Sequence, residues 1–292
     1  MNFSSENIEL FLAVIDRGSF SAAARALQRV PSAVSMGIAN MEAELGFPLF
    51  DRRSREPTPT PLALALEPQA RIIAQQLQQL RVHAVELSQG LESTFALAVA
   101  AEVDKTPVLA ALKTLSQRYP LLNIEVLSAP QDDVLHMLHS GRVSVALAFG
   151  GLSINVQEQF QYVGSESLIA TISAQHWAAE NADDALYIED LVTIRQIIVA
   201  SMSHPISDTR PLVAGSYWRT DTLAMALGMV EAGLGWGNLP FSLIEPLLKQ
   251  GHLKQLHFKN TKNELKLPLH AVWLKNQSLN KAAREFVQLM SQ

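Results

Sequence analysis

The chain has 292 residues, 48% of them hydrophobic and 17% charged, with a formal net charge of −5 and no cysteine. That length and apolar content fit a small folded domain plus a larger one and exclude a disordered chain, and the missing cysteines exclude disulfides, thiolate chemistry and cysteine-bound metals. The acidic balance excludes a globally basic nucleic-acid coat, though not a local basic feature. The opening MNFSSENIEL lacks the basic leader of a secretory signal and no apolar run reaches the ~18 residues of a membrane span, so the expected setting is the cytoplasm, away from any membrane.

In residues 8–16, Ile8, Phe11, Leu12 and Ile15 share one helical face, and Gly18 ends that helix. Ser21 is the expected N-cap of a second short helix over 22–27, and Ser32 that of a third, in which Val34, Ile38, Met41 and Leu45 form a buried stripe stopped by Gly46. An apolar return, Phe47 to Phe50, leads into the basic turn Asp51-Arg52-Arg53-Ser54-Arg55. Two helices joined by a tight turn and followed by a small basic loop describe a winged helix-turn-helix over residues 1–60.

After the proline-rich break at 57–61, Thr60 is placed to cap a long helix with Pro61 at its first position. Ala63, Leu66, Ala70, Ile73, Leu77, Leu80, Ala84 and Leu87 then follow strict 3–4 spacing, a heptad seam suited to a partner helix, so residues 61–90 read as a linker and dimerisation helix. Pro68 within it predicts a kink or a later start.

From Phe95 the period changes. Strands are expected over 95–103, 123–128, 143–149, 168–173, 197–200, 234–239, 253–258 and 269–274. Helices are expected over 106–119, 132–139, 222–232, 241–248 and 280–290. This alternation predicts parallel sheets in two α/β lobes: lobe I over 91–161 plus 266–292, and lobe II over 162–265.

A resemblance now emerges. Leu10-Phe11, the run from Gly18 to Ala24, Leu27, Ser32-Ala33-Val34-Ser35, Ile38, Met41-Glu42, Leu45-Gly46, Leu49-Phe50 and Arg52 resemble the N-terminal signature of LysR-type transcriptional regulators. The run from Val230 to Gly235, followed by Leu239-Pro240, is similar to a recurrent segment of that family's second lobe. The resemblance implies a winged helix-turn-helix, a coiled-coil linker helix and a two-lobed effector-binding domain of periplasmic-binding-protein type. It further implies a ligand-responsive regulator that binds dyad-symmetric promoter DNA as a homodimer or dimer of dimers, works with RNA polymerase, and needs neither metal nor cofactor. Two positions depart from the pattern. Met36, followed by Gly37, stands where the family often has arginine, and Pro59-Thr60-Pro61-Leu62-Ala63 replaces the usual Leu-Thr-x-Ala-Gly.

With the Val34 stripe turned inward, the third helix offers DNA the residues Pro31, Ser32, Ser35, Met36 and Asn40. Serine and asparagine can hydrogen-bond to bases or phosphates, while Met36 can touch only apolar surface such as a thymine methyl. Arg52, Arg53 and Arg55 are placed for phosphate, with Arg25, Arg29 and Ser21 beside them. Residues 1–60 hold six arginines against seven acids, so affinity must come from clustering and from paired heads.

Ligands of α/β sheets bind beyond the carboxyl ends of strands. That places Glu102, Val103, Asp104, Lys105, Thr106, Ala129, Phe149 and Gly150 of lobe I opposite Ser201, Met202, His204, Trp218, Thr220, Asp221 and Asn238 of lobe II. Phe149, Met202 and Trp218 make the cleft partly apolar, which favours a small aromatic or amphipathic effector. Gly233-Leu234-Gly235 follows a helix, unlike a dinucleotide fingerprint, which opens one. His136 and His139 lack a third metal ligand. No nucleophile elbow supports an α/β enzyme. A solute-binding protein would need a signal peptide and no helix-turn-helix.

Overall fold

The computed structural model describes residues 4–53, 57–150, 155–179, 186–213 and 215–291, and the chain forms two compact units, Met1–Gln89 and Gly90–Gln292. The first contains α1 (Ser5–Arg17), α2 (Phe20–Ala26), α3 (Pro31–Leu45), β1 (Phe50–Asp51), β2 (Thr58–Pro59) and α4 (Pro61–Ser88). Gly18 and Gly46 end α1 and α3 at φ 67° and 77°, a left-handed turn that costs glycine little. Two expected caps move. Ser19 rather than Ser21 caps α2, its Oγ accepting the Ala22 N–H at 3.1 Å, because Gly18 turns the chain one step earlier. α3 starts at Pro31 without a side-chain cap, so Ser32 lies inside its first turn; proline lacks the N–H that a cap would satisfy.

Phe11, Val34, Ile38 and Leu49 are fully buried at the centre of this unit, where Phe50 meets Phe11 and Phe20 edge-on at ring distances of 6.1 and 5.9 Å. β1 and β2 pair antiparallel, Phe50 opposite Pro59, and form the stem of the wing. Thr60 caps α4 as expected, accepting the Ala63 N–H at 3.2 Å. The helix runs unbroken through Pro68, so the later start is corrected.

The heptad seam divides. Ala63 and Ala70 are buried in the unit's own core, with Leu66 and Ile73 packed against it, and Arg71–Asp16 and Arg81–Glu9 ion pairs at 2.6 and 3.3 Å tie α4 to α1. Ala70 is thus part of the unit's own core, with Leu66 and Ile73 half-buried against it, since the apolar face of α1 must be covered first. Further along, Leu77 is half-buried and Leu80, Ala84 and Leu87 are exposed.

The second unit contains β3 (Thr94–Ala100), α5 (Lys105–Arg118), β4 (Asn123–Ala129), α6 (Gln131–His139), β5 (Val145–Phe149), β6 (Glu158–Ser173), β7 (Gln196–Val199), β8 (Tyr217–Thr220), α7 (Leu223–Glu231), β9 (Trp236–Pro240), α8 (Phe241–Lys249), β10 (Leu253–Gln255), β11 (Leu265–Leu274) and α9 (Lys281–Met290). The sheet order is β4-β3-β5-β11-β6-β9-β7-β8, with β10 also on β6. β3–β5 are parallel, as are β7–β9, but β6 and β11 run antiparallel to each other and cross between the lobes. The expected parallel sheets are thus joined into a mixed one. Phe95, Leu115 and Phe286 fill lobe I under α5 and α9, and Trp236 and Leu191 fill lobe II. Among the described residues, no helix is long and apolar enough to cross a membrane.

Candidate functional sites

The exposed side of α3 carries Pro31, Ser32, Met36 and Asn40, with Ser35 half-buried, beside exposed Ser21 and Arg25 on α2. Met36 is 64% exposed, an unusual place for a large apolar side chain on a helix whose other face is core. The wing arginines are not free. Arg52 Nη2 donates to Glu42 Oε2 at 2.8 Å, and its guanidinium lies 5.3 Å over the Phe20 ring. Arg53 is held by Asp51 at 2.7 Å and Arg29 by Glu6, while Arg25 makes no ion pair among the described residues. Arg55 lies outside the described residues. Arg52 is thus a brace within the wing. Arg53 sits in a fully exposed pair, which a phosphate can replace at little cost.

The hub of this arrangement is Glu42 on α3. Its Oε1 accepts the Leu49 and Phe50 N–H groups at 2.8 and 3.0 Å, so one carboxylate pins the helix, the wing strand and the wing arginine together. The only sequence signal for it is an acid four residues before a glycine stop, followed by a basic turn.

In the second unit, a cavity of about 550 Å³ opens between lobe I and the segment 207–210 of lobe II. Phe149 and Gly150 line it as expected, and so do Gln131, Leu135, Glu158, Phe160, Pro268, His270 and Val272. Glu158 and Phe160 alternate on β6, where polar sequence hides the period of 2, and Pro268, His270 and Val272 alternate on β11. Gln131 Oε1 accepts the Phe149 N–H at 2.8 Å. Glu158 meets His139 at 2.7 Å. Arg210 donates to Asp208 through Nε at 2.9 Å and to the Gly150 carbonyl at 2.8 Å. Burial works against the Asp208 carboxylate, but those Arg210 hydrogen bonds outweigh it and hold its pKa below the usual value.

The lobe II wall is clasped to α6. Ser201 Oγ donates to Asp133 Oδ1 at 2.6 Å, His204 Nδ1 meets the same oxygen at 2.8 Å, and Ser207 binds Asp132. The His136 and His204 rings stack with centroids 4.4 Å apart. Ser201 and His204 do not line the cavity; Ser201 Oγ and His204 Nδ1 are engaged in this clasp across the lobes. Val103 is buried in the lobe I core and cannot reach a ligand. Asn238 Nδ2 is spent on the Pro211 carbonyl at 3.0 Å. Ala129 packs in lobe I, and its carbonyl accepts the Ala101 N–H. Asp104 caps α5 through the Thr106 N–H, and its own N–H donates to Glu166 at 3.0 Å. Lys105, Thr106, Met202 and Asp221 are exposed, Thr220 is half-buried, and Trp218 lies 3.9 Å under the Arg195 guanidinium. None of these outer residues lines the cavity. Glu102, partly exposed, keeps Oε2 buried without a hydrogen bond. Among the described residues, no group of acids and histidines could hold a metal ion.

Residues 5–64 match the family described as bacterial regulatory helix-turn-helix protein, lysR family, and residues 88–292 match the LysR substrate binding domain. The chain belongs to the LysR-type transcriptional regulators. It is a regulator and not an enzyme. It is 38% identical over 286 residues to the HTH-type transcriptional regulator AceR of Acinetobacter baumannii, covering 97% of this chain and 95% of the relative. It is 25% identical over 267 residues to PunR of Escherichia coli K12, covering 88% of this chain and 84% of the relative. Among solved structures, the LysR-type regulator CbnR is similar in fold, with a TM-score of 0.56 at 15% identity over 99% of this chain and all of that one. LysG of Corynebacterium glutamicum, solved with bound effector Arg, gives 0.51 at 19% identity over 100% of this chain and 97% of that one.

Proposed function

We propose that this LysR-type regulator acts in the cytoplasm as an oligomer. In this reading two copies pair through α4, present two winged helices to a dyad-symmetric promoter site, and respond to a small aromatic effector held between the lobes. The working division is a DNA-binding head over 1–60, a linker over 61–90, and an effector domain over 91–292 with lobes at 91–161 plus 266–292 and at 162–265. The observation that carries the reading is the exposed face of α3, with Ser32, Met36 and Asn40 beside an arginine-bearing wing. Asn40 can address adenine and Met36 a thymine methyl, while Arg25, Arg52 and Arg53 serve phosphates. RNA polymerase is the partner through which the bound oligomer acts on transcription.

Fluorescence anisotropy of the full chain on its own upstream DNA tests the head. Replacing Arg52 and Arg53 together by alanine is expected to weaken binding at least ~tenfold and to flatten the slope of log K against log salt by up to about 2, near 0.9 per phosphate lost. Unchanged binding and slope would remove the wing from the interface. Pairing rests on exposed Leu80 and Leu87 at the distal end of α4. Changing both to glutamate is expected to halve the sedimenting mass and to weaken DNA binding by more than ~tenfold through lost bivalency. An oligomer that persists would move the pairing surface elsewhere.

A further inference from the structure

The cavity between the lobes carries a chemical preference of its own, which rests on the effector reading above. Its charged wall groups are already matched inside the protein. Glu158 is hydrogen-bonded to His139, and Asp208 takes three Arg210 nitrogens. Arg210, the wall's guanidinium, is committed to Asp208 and to the Gly150 carbonyl. A ligand carboxylate would meet two carboxylates and a cation already paired with one of them, and a ligand ammonium would meet carboxylates that already have donors. Burying either charge without a new partner is costly.

The uncommitted polar groups are neutral. His270 Nδ1 is buried on the side of the ring that faces Gly150, closed to a cavity occupant, and the ring is fixed edge-on between Phe160 and Tyr162 at 5.2 and 5.8 Å. Burial lowers the His270 pKa, with the Pro268 carbonyl acting more weakly in the opposite sense, so the ring enters the cavity uncharged near neutral pH. The ring reaches this position only because residue 150 is glycine; a Cβ there would stand 2.5 Å from Cε1 and 2.7 Å from Nδ1. Gln131 spends Oε1 on the Phe149 N–H, and its Nε2 makes no hydrogen bond among the described residues. Phe149, Phe160 and Leu135 supply apolar walls. A hydroxyl or amide oxygen suits the Gln131 Nε2 donor, because it accepts without carrying charge.

The geometry points to an uncharged aromatic effector, mono- or bicyclic, whose hydroxyl or amide meets Gln131 Nε2 beside the neutral His270 ring, with carboxylates and ammonium ions discriminated against.

Calorimetry on the full chain with 2-naphthol, 2-naphthoate and 2-naphthylmethylammonium compares one ring system in three charge states, at about pH 7, where the naphthol is neutral. 2-Naphthol is expected to bind at least ~tenfold more tightly than either ion, and Gln131→Met, which keeps the side-chain length and removes the Nε2 donor, to erase most of that margin. Thr209→Trp, from the exposed lobe II wall, is expected to abolish binding by filling the cavity; Leu135→Trp fills it from α6, and melting curves report whether each variant folds. Either ion binding as tightly as 2-naphthol, or no probe binding at all, overturns the proposed class. If an ion binds and both tryptophan variants remove it, the effector cavity stands while the class falls. If binding survives both variants in folded protein, the cavity itself is not the effector site.

Discussion

Replacing Glu42 by alanine is expected to destabilise the N-terminal unit by about 2–4 kcal/mol and to take DNA affinity down with it, the estimate resting on two charge-assisted hydrogen bonds worth ~1.5–3 kcal/mol each less what water recovers. Leu49 is fully buried and Phe50 nearly so, and the N–H groups of both point at Glu42 Oε1 at 2.8 and 3.0 Å. Alanine leaves those donors without an acceptor beside an apolar core. It also frees Arg52, which would then be held only by its place over the Phe20 ring. Glu42→Gln separates the two roles: the amide oxygen still accepts the backbone N–H groups while the charge that holds Arg52 is lost, so stability should fall by only about 1 kcal/mol. Hydrogen exchange at the Leu49 and Phe50 amides is the direct readout, because exchange there should accelerate in the alanine variant and stay near wild type in the glutamine variant. An alanine variant with unchanged exchange and unchanged melting would dismiss Glu42 as the hub of the wing.

Glu42 shows where sequence reading stops. The buried stripe of Val34, Ile38 and Met41, the stops at Gly18 and Gly46, and the Thr60 cap of α4 are legible because each depends on residues within one or two turns. Glu42 looks like any acid on a solvated helix face until the chain returns seven residues later with two N–H groups to satisfy. Strands β6 and β8 fail differently. The first ten residues of β6, from Glu158 to Ser167, are mostly polar, and β8 is four exposed or half-exposed residues at a sheet edge, so neither shows an apolar run. Their strand state is imposed by pairing, Val272 opposite Phe160 and Ile197 opposite Trp218, across gaps that no local pattern spans.

The α4 seam was legible as a pattern but not as an assignment. A 3–4 repeat says that one face is covered, not by what. In the structure, α1 claims the stretch from Ala63 to Ile73, and only beyond it do Leu80 and Leu87 stay exposed. The cavity was half legible for a related reason. Phe149 and Gly150 sit at a strand end, where general rules place ligands, whereas Gln131, Phe160, Arg210 and His270 come from four separate elements. The clasp between Asp133, Ser201 and His204 joins residues about 70 positions apart and brings lobe II onto α6. That clasp is what makes 207–210 a wall of the cavity.

The stability of the second unit should fall as pH rises from about 5 to 8, and Glu102→Gln should remove most of that slope. Glu102 follows β3, with Oε2 buried and unpartnered. Burial pushes its pKa up to about 7 from 4.5, and its own backbone N–H only partly opposes the shift. An acid whose folded pKa is raised binds its proton more tightly folded than unfolded. Its neutral form therefore supports the fold below pH 4.5, and that support is withdrawn between 4.5 and about 7, with an upper bound of about 3 kcal/mol at 1.36 kcal/mol per pH unit. Glu166, also raised by burial, acts in the same direction. His176 and His270, both lowered from 6.5 by burial, act in the opposite one: each must stay neutral in the fold, so they destabilise it on acidification below that value. The wild-type profile sums these effects, and the difference between wild type and Glu102→Gln isolates one. Glutamine keeps the shape and cannot ionise, so the variant should match wild type near pH 5 and melt several degrees higher near pH 8, at roughly 2–4 °C per kcal/mol for a unit of this size. Parallel melting curves across that range would show that Glu102 reaches water in the folded chain and ionises there without penalty.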